Sequence, residues 1–186
     1  MTDGLLLPPG GGRRIQNMTL KAGAERSTVW STFEAEIAPG FDVGAHLHDQ
    51  AEEVFYVLEG ELDLLAFQPT TQAGGDWRSW ESESGAKVMR GGPGSFMFVP
   101  AGCPHAFFNP TSEPARMLFL VSPAGHEDYL QEITDVLGAG GPPDQARIAA
   151  IRARHDIQQL TPLTSPAGGA GGGLRPPAGR VEPREP

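Results

Sequence analysis

The sequence predicts an all-β fold, a small β-barrel followed by two helices, with loose segments at both ends. Three observations lead there. Short apolar runs with two-residue alternation recur between residues 15 and 121, separated by glycine- and proline-bearing turns. Two spaced signatures of histidine, glutamate, glycine and proline lie inside that stretch, between Gly40 and Asn109. The apolar period changes to a helical one only after Pro123.

Residues 1–14 are rich in glycine and proline and form a flexible N-terminus in this reading. Ile15 to Lys21 and Thr28 to Ala38 read as strands, the second with Val29, Ser31, Phe33, Ala35 and Ile37 on one face. The first signature then reads Gly40, five residues, His46, one residue, His48, four residues, Glu53, six residues, Gly60. Side chains two apart on a strand share a face, so His46 and His48 can offer two imidazoles to one ion. Glu53 lies an odd number of residues beyond His48 and would face the other way on an unbroken strand. The polar Asp49–Glu52 stretch turns the chain instead, and Glu53 opens a new strand whose inward face continues through Phe55 and Val57. Gly60 marks the turn out of it.

Glu61 to Phe67 reads as a strand and Pro69 to Asp76 as a loop. The tryptophan-bearing insertion, Trp77 to Lys87, has two readings: a hairpin capping the barrel mouth, or a binding element. The second signature reads Gly94, five residues, Pro100, one residue, Gly102, two residues, His105, three residues, Asn109. It is a strand, a sharp turn through Pro100, Gly102 and Pro104, and a strand that aims His105, Phe107 and Asn109 inward. Ala115 to Val121 supplies a last strand with Met117, Phe119 and Val121 on one face. Leu130, Ile133, Val136 and Leu137 have helical spacing and stop at Gly138. A second helix starts at Pro142-Pro143-Asp144, with Ile148 and Ile151 on one side. Both helices are expected outside the barrel or over its opening. His126 and His155 fall near helix ends and are read as non-ligands. The resulting division is a barrel over 15–124, a helical extension over 125–160 and a disordered Gly/Pro-rich tail over 161–186.

Three histidines and one carboxylate make a mixed nitrogen and oxygen site, suited to one divalent transition metal (Fe, Mn, Ni, Co or Zn) and unlike the all-oxygen sites of calcium or magnesium. All ten fixed positions of the two signatures match the motifs of the cupins, which this chain resembles. The runs Glu53 to Val57, Phe96 to Pro100 and Cys103 to Ala106, with the helix after Pro123-Ala124-Gly125, resemble the small single-barrel cupins of the quercetin 2,3-dioxygenase type over roughly residues 15–160. That resemblance implies an RmlC-like jelly-roll barrel, a homodimer, and the ligand set His46, His48, Glu53 and His105. It also implies a dioxygenase, an oxidoreductase cleaving a small aromatic or enolic substrate, with Glu53 as the catalytic base. Phe33, Phe55, Phe107, Met117 and Phe119 would build the substrate pocket, with Asn109 supporting it, or each of the five apolar residues serves only as barrel core. The same site could instead serve an isomerase, cyclase or decarboxylase, or a barrel that only binds small molecules.

Composition narrows the partners to a small molecule. With 14 Lys+Arg against 23 Asp+Glu, a net charge of -9 and no basic cluster, the chain is unsuited to nucleic acid. No apolar run is long enough to enter a membrane, since Leu5 to Leu7 is followed at once by prolines. The single cysteine, Cys103, excludes an internal disulfide and reads as structural. A cytoplasmic protein is the expectation.

Overall fold

Alternation of apolar and polar side chains folds the chain into two antiparallel sheets whose apolar faces meet. The computed structural model describes residues 3–70, 75–138 and 144–164. Its strands are β1 (Arg13–Ile15), β2 (Met18–Ala22), β3 (Ser31–Ile37), β4 (His46–Leu47), β5 (Glu52–Glu59), β6 (Leu62–Ala66), β7 (Met89–Gly91), β8 (Phe96–Val99), β9 (His105–Phe108), β10 (Ala115–Ser122) and β11 (Gln158–Gln159). Helices α1 (His126–Gly138) and α2 (Gln145–Arg154) lie between the last two strands. The sheets have the orders β1-β2-β3-β10-β5-β8 and β11-β4-β9-β6-β7. Phe33, Ala35, Ile37, Phe55, Val57, Met117, Phe119 and Val121 from the first sheet enclose one core with Leu62, Leu64 and Phe107 from the second. This is the jelly roll expected from the sequence.

Several elements differ locally from the sequence reading. Residues 15–21 are not one strand. Gln16 takes a positive φ of 51° and the Asn17 side chain donates to the Glu36 carbonyl, so Arg13–Ile15 folds back on Met18–Leu20 as a hairpin. The sheet therefore begins at Arg13, inside the segment expected to be loose. β3 starts at Ser31 because the amides of Val29 and Trp30 both donate to the Ser27 hydroxyl, which holds 27–30 as a turn and leaves Val29 half exposed. Gly60 does mark the turn after β5: its φ is 74°, and a Cβ there would lie 2.8 Å from Ala115 Cα.

The tryptophan insertion does not cap the barrel mouth. Trp77–Ser79 is a 3₁₀ turn whose N-cap is Asp76. Trp77 and Trp80 cover Ala45, Leu65 and Ala106 on the outer face of the five-stranded sheet. Those three residues alternate outward, and an uncovered apolar face there would be costly. Trp77 Nε1 donates to the Asp42 carboxylate at 3.0 and 3.2 Å.

The mouth is covered by the helices. α1 rests Leu130 on the core, and α2 packs against α1 through Val136, Ile148, Ile151, Tyr129 and Ile133. After α2 the chain turns at Asp156, φ 58°, and returns to the five-stranded sheet. There Gln158 and Gln159 pair with Leu47 and His46, and Thr164 pairs with Asp42. The stretch after α2 is thus an edge of the sheet rather than the end of a helical extension, and residues 161–164 do not begin a loose tail. The expected tail from 165 onward, the Pro142-Pro143 helix start and residues 71–74 of the expected loop lie outside the described residues. Among the described residues, no helix is long and apolar enough to cross a membrane.

α1 is tied to the barrel by a buried carboxylate. Glu127 accepts from the Ser31 hydroxyl and from the Ala24 amide at 2.6 Å. Burial alone would raise its pKa, but the Ser31 and backbone hydrogen bonds outweigh it and hold the carboxyl below its ordinary value. A lowered folded pKa gives a stabilisation that is present above the unfolded value of about 4.3 and is lost as pH falls through the folded value. Glu127→Gln should therefore cost about 1–3 kcal/mol at neutral pH, with the gap to wild type closing in acid. Denaturant melts at both pH values measure this, and equal stability at neutral pH would remove Glu127 as the tie.

Candidate metal centre

Four side chains from the two sheets converge on one point in the barrel. His46 on β4 pairs directly with His105 on β9, and their rings lie 4.2 Å apart. His48 follows β4 with its ring 5.4 Å from each of the other two. Glu53 comes from the opposite sheet, where it sits in register with Val99 and Val121. The polar 49–51 link carries the chain from one sheet to the other, which is how an odd spacing still brings Glu53 to face the histidines. One ligand atom from each of the four lies within 4.8 Å of the other three.

The backbone fixes the tautomer of every ring. His46 Nδ1 faces the Gly44 carbonyl at 2.9 Å, His48 Nδ1 the Asp156 carbonyl at 2.8 Å, and His105 Nδ1 the Cys103 carbonyl at 3.1 Å. A carbonyl only accepts, so each neutral ring carries its proton on Nδ1 and presents a lone pair at Nε2. The Nε2 atoms of His48 and His105 approach Glu53 at 3.2 and 2.8 Å. Yet His48 Nε2, His105 Nε2 and Glu53 Oε2 are buried without hydrogen-bond geometry to any partner. Acceptors that converge in this way repel one another, and a cation relieves them. The residues present therefore fit a divalent ion, and their nitrogen-rich set fits a transition metal.

Protons can relieve part of the same conflict. Burial opposes charge on both His48 and Glu53, but their mutual attraction outweighs it, raising His48 and, together with the His105 ring, holding Glu53 well below the carboxylate range. His46 goes the other way: burial, then the neighbouring His105 imidazole, hold it well below the ordinary imidazole value.

An apolar cavity of about 270 Å³ opens onto this cluster. His46 and Glu53 are in its wall, with Phe55, Phe107, Met117 and Phe119 beside them. Phe55 and Phe119 stack with centroids 4.8 Å apart. Two expected pocket residues lie elsewhere. Phe33 is fully buried behind Phe119, 5.6 Å away, and is core. Asn109 falls just past the end of β9, where alternation no longer applies. Its amide donates to the Ile37 and Glu113 carbonyls and its oxygen accepts from the Thr111 amide, so it clamps a turn.

The helices supply lining that strand reasoning does not reach: His126, Tyr129, Leu130 and Ile133 from α1, and Arg152 from α2. The apolar period of α1 identifies its inward face, but nothing in the sequence says that this face meets a cavity rather than core. His126 is no member of the four-residue cluster. Its ring lies edge-on, 6.2 Å from His48 and 5.6 Å from Phe119, and burial pushes it down to about 4, so it is neutral at physiological pH. His155 caps α2 and faces Glu132 at 3.0 Å, away from the cluster. Cys103 is buried and its thiol pKa is raised by burial, as suits a structural residue whose carbonyl orients His105.

Among solved structures, the chain is similar to the TT1209 protein of Thermus thermophilus, with 22% identity, 61% of this chain and 90% of that chain covered, and a TM-score of 0.43. It is similar to an RmlC-like cupin from Shewanella frigidimarina at 18% identity, covering 60% and 78% of the two chains, TM-score 0.44. A sugar phosphate isomerase of the cupin superfamily from Silicibacter pomeroyi is similar at 21% identity, covering 58% and 60%, TM-score 0.41. No curated protein matches the sequence. The family model described as Cupin matches residues 10–137, which is more than half of the chain, and the chain belongs to the cupin family.

Proposed function

We propose that this cupin is a metal-dependent enzyme acting on a small aromatic or enolic substrate, and that its reaction is a dioxygenation. One observation carries the reading: the cavity that reaches Glu53 and His46 is walled by aromatic and thioether side chains, so the polar cluster is offered to an apolar ligand. His46, His48, Glu53 and His105 would hold the metal, which supplies Lewis acidity and, when iron, manganese, nickel or cobalt, access to redox chemistry.

The chain's own residues account for binding and proton transfer. Phe55, Phe107, Met117 and Phe119 clamp a ring and exclude water. Glu53, kept as a carboxylate, accepts the proton of the substrate's enol or phenol. The three imidazoles cannot compete for that proton through Nδ1, which already donates to the backbone. Dioxygen is the oxidant and both of its atoms enter the product, so no separate reductant is needed. Isomerisation, cyclisation or decarboxylation at the same site is the second reading, favoured by the same proton-accepting Glu53.

The native protein should hold about one divalent transition metal per chain, and His105→Ala should lose most of it while its circular dichroism stays close to wild type, because the core is apolar and independent of the ion. Elemental analysis decides, and full metal retention in the variant removes His105 from the ligand set. Glu53→Gln should keep the cavity's shape but lose roughly 100- to 10,000-fold in turnover, since an amide does not accept the proton. Wild-type protein should consume an enolic substrate together with dissolved oxygen. An unchanged rate under anaerobic conditions would exclude the dioxygenase and favour the isomerase class.

A further inference from the structure

The cavity that receives substrate in the reading above also has a charged residue in its lining. We propose that the substrate is an acid: Arg152, in the lining of the cavity, holds a carboxylate while the apolar body reaches to Glu53.

The polar donors around the cavity are unequal. Gln16 donates its amide to Thr134 Oγ1 at 2.8 Å, Asn17 to the Glu36 carbonyl at 2.8 Å, and Gln159 to the Thr161 carbonyl at 2.8 Å. These side chains are committed to the protein. Among the described residues, Arg152 is the one lysine or arginine in the lining, and its Nε is buried with no hydrogen-bond partner. Arg154, two residues on, pairs with Glu132; Arg116 also has a buried Nε without a hydrogen bond, but its Nη1 and Nη2 already pair with Glu34 and Glu59. A buried Nε–H without an acceptor is costly, and an anionic ligand in the cavity that Arg152 lines would satisfy it, in two-point fashion for a carboxylate.

Size and charge support the same ligand. At about 270 Å³ the cavity falls just under the ~300–1,000 Å³ of ordinary ligand pockets, which suits one ring with a short side arm. The chain is acidic overall, so an anion needs a local cation to enter. Arg152 sets the orientation, acid end on the guanidinium and reacting end towards Glu53. It acts as a specificity-determining residue and takes no part in proton transfer. Arg152 lies beyond the 10–137 match to the family, so this feature belongs to the chain's own C-terminal helix.

Calorimetric titration of the metal-loaded full chain with 3-phenylpropanoate and phenylpyruvate, each against its amide, tests the proposal. The acids should bind about tenfold or more tightly than the amides. Arg152→Gln should abolish that preference without weakening the amides, and Arg152→Lys should retain part of it. Equal binding of acid and amide to the wild type, or no binding of either acid, overturns the proposal without recourse to a variant. An acid preference that survives Arg152→Gln and disappears on chelation assigns the carboxylate to the metal, which also overturns it. Because the readout is binding, an enzyme that shows the acid preference but no metal-dependent turnover refutes the proposed function and leaves this inference standing.

Discussion

Placing a carboxylate and three imidazole acceptors within 4.8 Å of one another inside a barrel is the constraint on which the rest of this structure turns. Nothing about hydrophobic burial favours it, since each group loses water and the converging lone pairs repel. The arrangement persists because every imidazole is held from behind. Three carbonyls, of Gly44, Cys103 and Asp156, each take an Nδ1 proton, and each belongs to a different segment of chain. Gly44 has a φ of 71°, and a Cβ there would lie 2.5 Å from the Thr161 carbonyl, so the C-terminal segment can close over β4 only at a glycine. Asp156 is fixed in turn by accepting the amides of Asp49 and Gln50 on its carboxylate at 3.1 and 2.8 Å.

Around that polar knot the fold is built from ordinary apolar packing, and the two requirements are kept apart by strand alternation. Phe55 and Val57 continue the face that Glu53 begins, and Phe107 continues the face of His105, so these two ligands are each followed by a residue that closes the core. The outward residues of the same strands need separate treatment. On the five-stranded sheet Trp77 and Trp80 cover them, whereas on the six-stranded sheet Tyr56, Phe96 and Phe98 stay 40%, 60% and 49% exposed.

Sequence reasoning recovered what short-range spacing encodes. His46, His48, Glu53 and His105 could be read because alternation along a strand and a break in it are local facts, and the structure brings those four together. The alternating faces of β3, β5 and β10 and the helical period of α1 were legible for the same reason. Residues whose role depends on partners far along the chain were not. Asp156 touches His48 across 108 positions, β11 is two glutamines with no apolar pattern, and Arg152 reads as one more basic residue near a helix end. Asn109 shows the opposite error: it has the spacing of a pocket residue, but the strand has ended one residue earlier and its amide serves a turn. The tryptophans misled in another way, because two large apolar residues in an insertion announce burial without saying against which face.

The Asp156 carbonyl behind His48 has a consequence for how the protein is made. Synthesis proceeds from the N-terminus, so His46, His48, Glu53 and His105 leave the ribosome well before the segment that locks the second of them. Until α2 and β11 have emerged and docked, the His48 imidazole has no carbonyl to choose its tautomer, and β4 is an open sheet edge. The geometry that turns the His48 Nε2 towards the other three side chains is therefore complete only once the segment from Asp156 to Gln159 has docked.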